Sequence, residues 1–361
     1  SSGRQTVRQR STSRTKKADV YFVNYYSVLQ ENNDGLKLKI CNMAQLVKQF
    51  IRMPFRKQIR TRIQKFTDFR SRNFVFSSKK MNEYTSQEEL VEEFDKFDII
   101  IVGSDQVWNV ENDGFTPVYY LPFKLKARKI TYAASIGVSQ VEKLKEYSVY
   151  MDDFFLLSTR EEKAKKILEE CTHKTVDVVL DPTLFVDSDF YDTLLKGYKC
   201  EYLAVKEKYM LAVFYGRKNL SKFRKSAEKL AQKFSLPLKI INVNFGAAAY
   251  ASNLINDAGP LDFLSLIKNA ECVCTNSFHN MAFALIYDRP FYVFEDNALD
   301  VRKVGILKTL KLQDRIVYGD DISSITKLDC DFKENKLILD HLKLQSFAFL
   351  DQIDRLGSIQ I

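Results

Sequence analysis

The segment 270–294 brings together residue types that can bind and protonate an anionic substrate. It opens with an apolar run, breaks at a Thr-Asn-Ser turn and continues with helical spacing before a second apolar run. Ser277 and His279 lie at this turn, and His279 is one of three histidines in the chain. Histidine titrates near neutral pH, and the free N–H groups of a helix N-terminus attract anions. The turn therefore predicts an acid–base and anion-binding site, unless its polar residues only cap the helix.

Polar residues also follow apolar runs in the first half of the chain. The run 98–102 is followed by three of them, Ser104, Asp105 and Gln106. A later run leads to Arg160, and arginine can hold a carboxylate or phosphate bidentately with a fixed charge. Because ligands bind beyond the carboxyl ends of parallel strands, these positions are candidate substrate contacts. Alternatively, Arg160 pairs with the glutamates after it, and the other three residues belong to turns and caps. We interpret a further turn, at Asp181, as structural.

Strand and helix patterns alternate along the chain and predict an α/β fold. The alternation restarts near Tyr209, which divides the chain into two domains. We predict an N-terminal α/β domain over 20–200 and a C-terminal α/β domain over 201–333. Over 334–361 we predict a final helix that packs back on the first domain. Residues 1–19 have no apolar periodicity, and we interpret them as a disordered basic tail or an expression remnant.

The composition is that of a soluble globular protein. With 361 residues, 45% hydrophobic and 28% charged, the chain is long enough for two domains, each with its own core. No apolar run approaches the roughly 20 residues that span a bilayer, and no signal-peptide pattern opens the sequence. We therefore expect a cytoplasmic protein. The six cysteines lack the spacing of a zinc site, and we interpret them as reduced core residues.

The net charge of +9 is concentrated near the N-terminus. Residues 48–80 contain eleven Lys and Arg against a single acid, Asp68. The segment 44–66, which overlaps this region, places apolar residues at helical spacing with basic residues between them. Such a helix either packs its apolar stripe into the first domain or docks peripherally on the anionic inner face of the cytoplasmic membrane.

Six motifs occur in an order that is specific, although each alone is not. They are GSDQVWN (103–109), TYAASIG (131–137), STREEKAKKIL (158–168), LDPTLFVD (180–187), AGPLDFLSLIKNAECVCTNSFHNMAFALIYDRPF (258–291) and KVGILKTLKLQDRIV (303–317). In this order they resemble the polysaccharide pyruvyl transferase family from about residue 20 to residue 320. The resemblance implies two Rossmann-like domains facing a central cleft, as in GT-B glycosyltransferases. It also implies that phosphoenolpyruvate donates pyruvate, as a ketal, to a sugar of a cell-surface polysaccharide or of its lipid-linked precursor.

The resemblance also implies roles for individual residues. The arginine of the family's S-x-R-E motif corresponds to Arg160, an anion clamp, and the histidine of its T-x-S-F-H motif corresponds to His279, the general acid and base. A second clamp corresponds to Arg302 or Lys303. From its position at the start of the helix, and not from the resemblance, we expect Ser277 to share the bound anion with the N–H groups of that helix. The expected partners are phosphoenolpyruvate as donor substrate and a saccharide acceptor, with no cofactor, no metal and no nucleic acid. Since Arg160 and His279 are polar residues at strand ends, we expect their truncation to leave the fold intact.

Two departures from the family pattern keep other functions open. The family usually has glycine after the histidine, where this chain has Asn280. Members generally begin with a strand and an N-Y-G-A turn, and nothing before Val20 matches it. We therefore expect the first domain to lack its initial βα unit or to have a replaced N-terminus. The alternatives are a GT-B glycosyltransferase that uses a nucleotide sugar and a non-catalytic sugar-binding relative.

Overall fold

The computed structural model describes most of the chain from residue 56 onward. The described ranges are 20–22, 56–112, 115–137, 141–203, 207–216, 219–243, 253–295, 301–319 and 321–357. For residues 56, 141, 301, 302, 356 and 357 only the backbone is described. The predicted tail 1–19 and the first half of the predicted basic helix lie outside the described residues.

Helices and strands alternate in the described ranges, as an α/β fold requires. The helices are α1 (Arg56–Asn73), α2 (Gln87–Phe94), α3 (Val141–Met151), α4 (Glu162–Thr172), α5 (Ser188–Leu195), α6 (Leu220–Lys233), α7 (Pro260–Lys268), α8 (Phe278–Ile286), α9 (Val301–Thr309) and α10 (Lys333–Gly357). The strands are β1 (Ile99–Val102), β2 (Arg128–Thr131), β3 (Phe154–Thr159), β4 (Val176–Val178), β5 (Met210–Val213), β6 (Leu238–Ile241), β7 (Leu254–Ile255), β8 (Cys272–Thr275), β9 (Phe291–Glu295) and β10 (Ile316–Tyr318).

Strands β1 to β4 form a parallel sheet in chain order, with Ile99 opposite Arg128 at its start. Apolar residues of α2, α3 and α4 cover one face and share a core with Trp108 and Tyr120. The two rings stack at a centroid distance of 5.2 Å, and Trp108 Nε1 donates to Tyr119 O at 3.0 Å. Trp108 therefore anchors the loop that follows β1.

Gly103 makes the turn at the end of β1. Its φ is 124°, and a Cβ atom at this position would lie 2.1 Å from the carbonyl oxygen of Tyr132, which follows β2. Residues with a side chain rarely adopt this φ, so the turn favours glycine. The close approach holds the loop against the end of β2. It places Ser104 and Asp105 at the carboxyl edge of the sheet.

Strands β5 to β10 form a second parallel sheet in the order β7-β6-β5-β8-β9-β10. This is the order of a doubly wound sheet, in which the direction of winding reverses between β5 and β8. Both of these central strands are buried along their whole length. One face packs into a core with Leu211 and Val273, and the opposite face packs into a core with Met210 and Cys274. The predicted α/β class is confirmed by two parallel sheets with packed helices.

Helix α10 extends from one sheet to the other. Near its start, Leu339 belongs to a core of the second sheet. Near its end, Phe349 and Ile353 pack on Ile130 of the first sheet. The helix therefore covers the face of the first sheet that α3 and α4 leave open. None of the helices in the described ranges combines the length and the apolar composition of a membrane span.

Helix α1 precedes the first sheet in sequence but packs against α7 of the second half. Lys65 Nζ lies 2.8 Å from Asp262 Oδ2 and 2.8 Å from Glu201 Oε1. The side chain of Asp262 is fully buried, so this ion pair provides the charge that its burial requires. Chain order places α1 in the first predicted domain, whereas these contacts attach it to the second.

Candidate active site

Arg160 lies at the centre of a charged cluster at the carboxyl edge of the first sheet. It follows β3, and its guanidinium donates to Asp181 Oδ2 at 2.5 Å and to Asp105 Oδ1 at 2.7 Å. Its Nε donates to Glu161 Oε1 at 3.3 Å. These carboxylates follow β4, β1 and β3, so the ends of three strands converge on one arginine. The side chain of Arg160 is only 3% exposed.

Hydroxyl groups hold the neighbouring strand ends in place. The backbone N of Ser158 donates to Thr131 Oγ1 at 2.6 Å, and Ser158 Oγ donates to Thr131 O at 2.9 Å, which joins β2 to β3. After β4, Asp181 begins a short 3-10 helix, and its Oδ1 accepts from Thr183 N at 3.0 Å. Its Oδ2 binds Arg160. Asp181 therefore caps the turn that follows β4 and also supplies a charged group to the cluster.

Burial and charge act in opposite directions on the pKa values of this cluster. Burial lowers the pKa of Arg160, but the three carboxylates outweigh burial and raise it. Burial also raises the pKa of Glu161, and the charge of Arg160 offsets this only in part. Hydrogen bonds from Ser135 at 2.6 Å and Thr159 at 3.0 Å act in the same direction as Arg160. Buried carboxyl groups with a raised pKa are typical of functional sites.

The second half of the chain brings His279 to this cluster. His279 lies in the first turn of α8, after β8, and its Nε2 is 3.9 Å from Asp181 Oδ2. The ring of Phe278 is edge-on to the imidazole at 5.4 Å and lies 4.9 Å from the guanidinium carbon of Arg160. The imidazole is 39% exposed, which leaves it accessible to a ligand. The predicted anion clamp and the predicted acid–base group therefore meet around one carboxylate.

A family model identifies the chain more directly. The model described as polysaccharide pyruvyl transferase matches residues 19–297. The chain belongs to this family. The matched range includes both halves of the Arg160–His279 cluster. No curated protein sequence matches the chain at a significant level.

Solved structures with a similar arrangement are distant in sequence. The UDP-GlcNAc 2-epimerase of Methanocaldococcus jannaschii, in complex with UDP-GlcNAc and UDP, is 15% identical, with a TM-score of 0.44 over 80% of this chain and 88% of its own. The UDP-GlcNAc 2-epimerase of Neisseria meningitidis, bound to UDP-GlcNAc, is 13% identical, with a TM-score of 0.47 over 79% and 88%. The wall teichoic acid polymerase TagF is 14% identical, with a TM-score of 0.38 over 67% and 72%. Likeness at this level carries no functional argument.

Asn280, which replaces the glycine usual in the polysaccharide pyruvyl transferase family, is a buried link between two strand ends. Its Nδ2 donates to Thr275 Oγ1 at 3.0 Å and lies 3.5 Å from Val213 O. Thr275 Oγ1 itself donates to Val213 O at 2.7 Å. These contacts join β5 to β8, and α8 is regular through Asn280. The backbone here therefore has no need of the freedom that glycine provides.

Lys303, one of the two residues predicted as the second clamp, supports a loop of the candidate site in this structure. Lys303 is buried in α9, where its Nζ donates to Asn276 O at 2.6 Å and pairs with Glu295 at the end of β9. The ammonium group thus holds the loop that leads to His279. For Arg302 only the backbone is described, and its role as a clamp stays a prediction.

The other predicted substrate contacts lie near Arg160 and His279. Ser277 is the N-cap residue of α8, and its hydroxyl makes no capping hydrogen bond to the helix. Ser104 is partly exposed beside Asp105, whereas Gln106 Oε1 accepts from Asn109 Nδ2 at 2.6 Å within the loop. The contacts of Ser277, Ser104 and Gln106 with a substrate stay predictions.

Sequence reasoning did not assign the two residues that complete this arrangement. Asp181 connects Arg160 to His279, and Phe278 contacts both of them. Their positions in the sequence could have indicated these roles, because Asp181 directly follows a strand-like run and Phe278 directly precedes the histidine. Within the described ranges, no group of three or more His, Cys, Asp or Glu side chains is placed to hold a metal ion.

Proposed function

We propose that this protein transfers pyruvate from phosphoenolpyruvate to two hydroxyl groups of a saccharide and forms a cyclic ketal. Membership of the family supports the transfer of pyruvate to a polysaccharide. The observation that carries the proposal is the meeting of Arg160 and His279 around Asp181. The arginine offers a fixed positive charge to an anionic donor, and histidine can transfer protons near neutral pH.

The proposed reaction needs a group that both gives and takes protons. Two C–O bonds form at C2 of the donor, and the bond from C2 to the phosphate oxygen breaks. One acceptor hydroxyl proton ends on the methylene carbon, which becomes a methyl group, and the other leaves with phosphate. The accessible imidazole of His279 gives a proton to the methylene carbon and takes one from a hydroxyl. General acid–base catalysis of this kind contributes about 10²–10⁴-fold.

Asp105 is the partner of Arg160 that an anionic donor can replace. Its side chain is 54% exposed, whereas those of Asp181 and Glu161 are buried. Asp105 contacts Nη2, and Asp181 contacts Nη1. A donor carboxylate that displaces Asp105 keeps the guanidinium paired and takes the exposed position that Asp105 now occupies.

The site of action that we propose is the cytoplasmic face of the membrane, where a lipid-linked saccharide presents its sugar. Helix α1 has seven Lys and Arg against one acid. Lys65 turns toward the second half, whereas Lys57, Arg60 and Phe66 are exposed. Each basic residue near an anionic surface contributes about 1 kcal/mol to binding. Peripheral docking through this exposed face brings the enzyme to its acceptor.

Substitution of His279 tests the catalytic proposal. Phosphate release from phosphoenolpyruvate is measured with a panel of saccharides that carry 4,6-diols or vicinal diols. We expect His279→Ala to lower the rate at least about a hundredfold, while calorimetry shows little change in donor binding. His341→Ala, on the exposed side of α10, is the matched control and keeps the wild-type rate. Near-native release in the His279 variant contradicts the acid–base role. Binding of a nucleoside diphosphate without any response to phosphoenolpyruvate favours a glycosyltransferase instead.

The burial of Arg160 changes what we expect from its truncation. Its truncation leaves the buried carboxylates of Asp181 and Glu161 without their counter-charge, at a cost of about 3–5 kcal/mol, so Arg160→Ala disturbs the fold as well as the chemistry. Arg160→Lys is the better variant for a test of donor binding, because lysine keeps the positive charge and lacks the planar guanidinium group that binds a carboxylate through two hydrogen bonds. We expect it to weaken donor binding.

A further inference from the structure

Two arginines meet at the carboxyl end of β6, away from the Arg160 cluster. Arg62 of α1 donates from Nη1 to Asn242 O at 3.2 Å, and Arg224 of α6 donates from Nη2 to Asn242 Oδ1 at 2.9 Å. Asn242 directly follows β6 and is buried, and its Nδ2 donates to Asn256 Oδ1 at 2.7 Å. Two guanidinium groups from different helices are therefore held on one fixed amide residue.

This position is a binding position of the doubly wound fold. Strand β5 is the first strand of the second sheet, β6 lies beside it, and the first βα turn of such a sheet binds phosphate groups. Here that turn contains Tyr215 and Gly216, between β5 and α6. Gly216 has a φ of 79°, and among the described residues no atom lies within 4 Å of the place a Cβ atom would take. Arg62 lies close enough to Tyr215 for its charge to oppose the burial that raises the pKa of the phenol.

The charge of Arg224 is less well balanced than that of Arg160. Burial lowers the pKa of Arg224, and the charge of Glu228, one turn further along α6, opposes this only in part. Its Nε is buried and has no hydrogen-bond partner among the residues that the structure describes. Arg160, by contrast, contacts three carboxylates. A bound anion gives Arg224 a negative charge at close range and a hydrogen-bond acceptor for its guanidinium N–H groups.

We propose that Arg62 and Arg224 form an anion subsite that binds the phosphate or diphosphate group of a phosphorylated saccharide acceptor. Its identity as the acceptor site rests on the proposed function, whereas anion binding by the two arginines does not. Asn276 connects this subsite to His279. Its side chain exchanges two hydrogen bonds with the backbone of Tyr215, at 2.8 and 2.9 Å, and it precedes His279 by three residues. An acceptor phosphate held at β5 and β6 thus directs the attached sugar along the sheet edge toward the imidazole.

Calorimetric titration of the full chain with inorganic pyrophosphate tests the subsite. We expect saturable binding by the wild type and an affinity at least tenfold weaker in Arg224→Ala. Lys229→Ala removes an exposed charge from the same helix, and we expect it to keep wild-type affinity. Arg62→Ala acts from another helix and weakens binding as well, and thermal unfolding of each variant shows that it is folded. No saturable binding by the wild type, or wild-type affinity in both folded arginine variants, overturns the proposal.

Two further titrations separate the subsite from the proposed reaction. A hexose 1-phosphate competes with pyrophosphate and the neutral hexose does not, if the subsite recognises a phosphorylated saccharide. If neither the hexose 1-phosphate nor the neutral hexose competes with pyrophosphate, the assignment of the subsite to a saccharide is overturned. If the donor binds at Arg160, the affinity for phosphoenolpyruvate stays unchanged in Arg224→Ala. If this variant no longer binds phosphoenolpyruvate, the two arginines belong to the donor site and the acceptor subsite is overturned. Pyrophosphate binding without any turnover of phosphoenolpyruvate contradicts the proposed function and leaves the anion subsite standing.

Discussion

The substitution Asp181→Asn tests whether one carboxylate organises the candidate active site. Asparagine keeps the shape of the side chain and the acceptor that caps the following turn, but it removes the charge between Arg160 and His279. Removal of one partner from a buried ion pair costs about 3–5 kcal/mol. Because two other carboxylates still contact Arg160, we expect a smaller loss of about 2–3 kcal/mol. The substitution also leaves Arg160 free to move toward its remaining partners.

Thermal unfolding and steady-state kinetics measure the two consequences separately. For a domain of 150–250 residues, each kcal/mol corresponds to about 2–4 °C, so we expect the Tm to fall by about 4–12 °C. In the phosphate-release assay, performed well below both Tm values, we expect kcat to fall about a hundredfold, the lower end of an acid–base contribution. The KM for phosphoenolpyruvate changes less, because Arg160 still carries its charge.

The matched control is Asp187→Asn. Asp187 also pairs with a basic side chain, Lys343 Nζ at 2.6 Å, but it is 80% exposed, and exposed pairs contribute about 0–1 kcal/mol. We expect no measurable change in kcat and only a small change in Tm. An Asp181 variant with the Tm of this control shows that the carboxylate is not the counter-charge of Arg160. An unchanged kcat shows that it does not position His279.

Two other predictions concern stability and membrane binding. Because the pKa of Glu161 is raised in the folded state, its contribution to stability is complete below the unfolded value of about 4.3 and is lost as the pH rises through the folded value. We therefore expect the free energy of unfolding in urea to fall for the wild type, relative to Glu161→Gln, as the pH rises from about 4 to about 7. If the two proteins show the same pH dependence of this free energy, the burial of Glu161 does not raise its pKa. Sedimentation with anionic liposomes should show binding that salt weakens and that the double substitution Lys57→Ala and Arg60→Ala reduces, and absence of binding at low salt ends the membrane proposal.

The second half of the site was predictable because its pattern is local. The apolar run, the polar turn and the helical spacing around His279 predicted a strand, a loop and a helix, and the structure has β8, a turn and α8 there. Arg160 was predictable in the same way, as a basic residue directly after a strand-like run. These patterns depend on residues within one turn or one strand, so short spacing in the sequence is enough to reveal them.

The remaining features depend on pairs that are distant in sequence. No spacing indicates that Asp181 lies between Arg160 and His279, because that contact depends on how the two sheets are placed. Lys303 has the character of an anion clamp in sequence, yet it is buried against Glu295 in the fold. Local patterns assign a side chain to an element, and they do not determine which distant partner neutralises its charge.

The ion pair between Lys65 and Asp262 has a consequence for the order of events during synthesis. The two residues are 197 positions apart. At 5–20 residues per second, the ribosome adds this length in about 10–40 s. During that interval α1 has already emerged without the acidic partner on which it packs. Helix α1 therefore completes its packing only after α7 of the second half has formed.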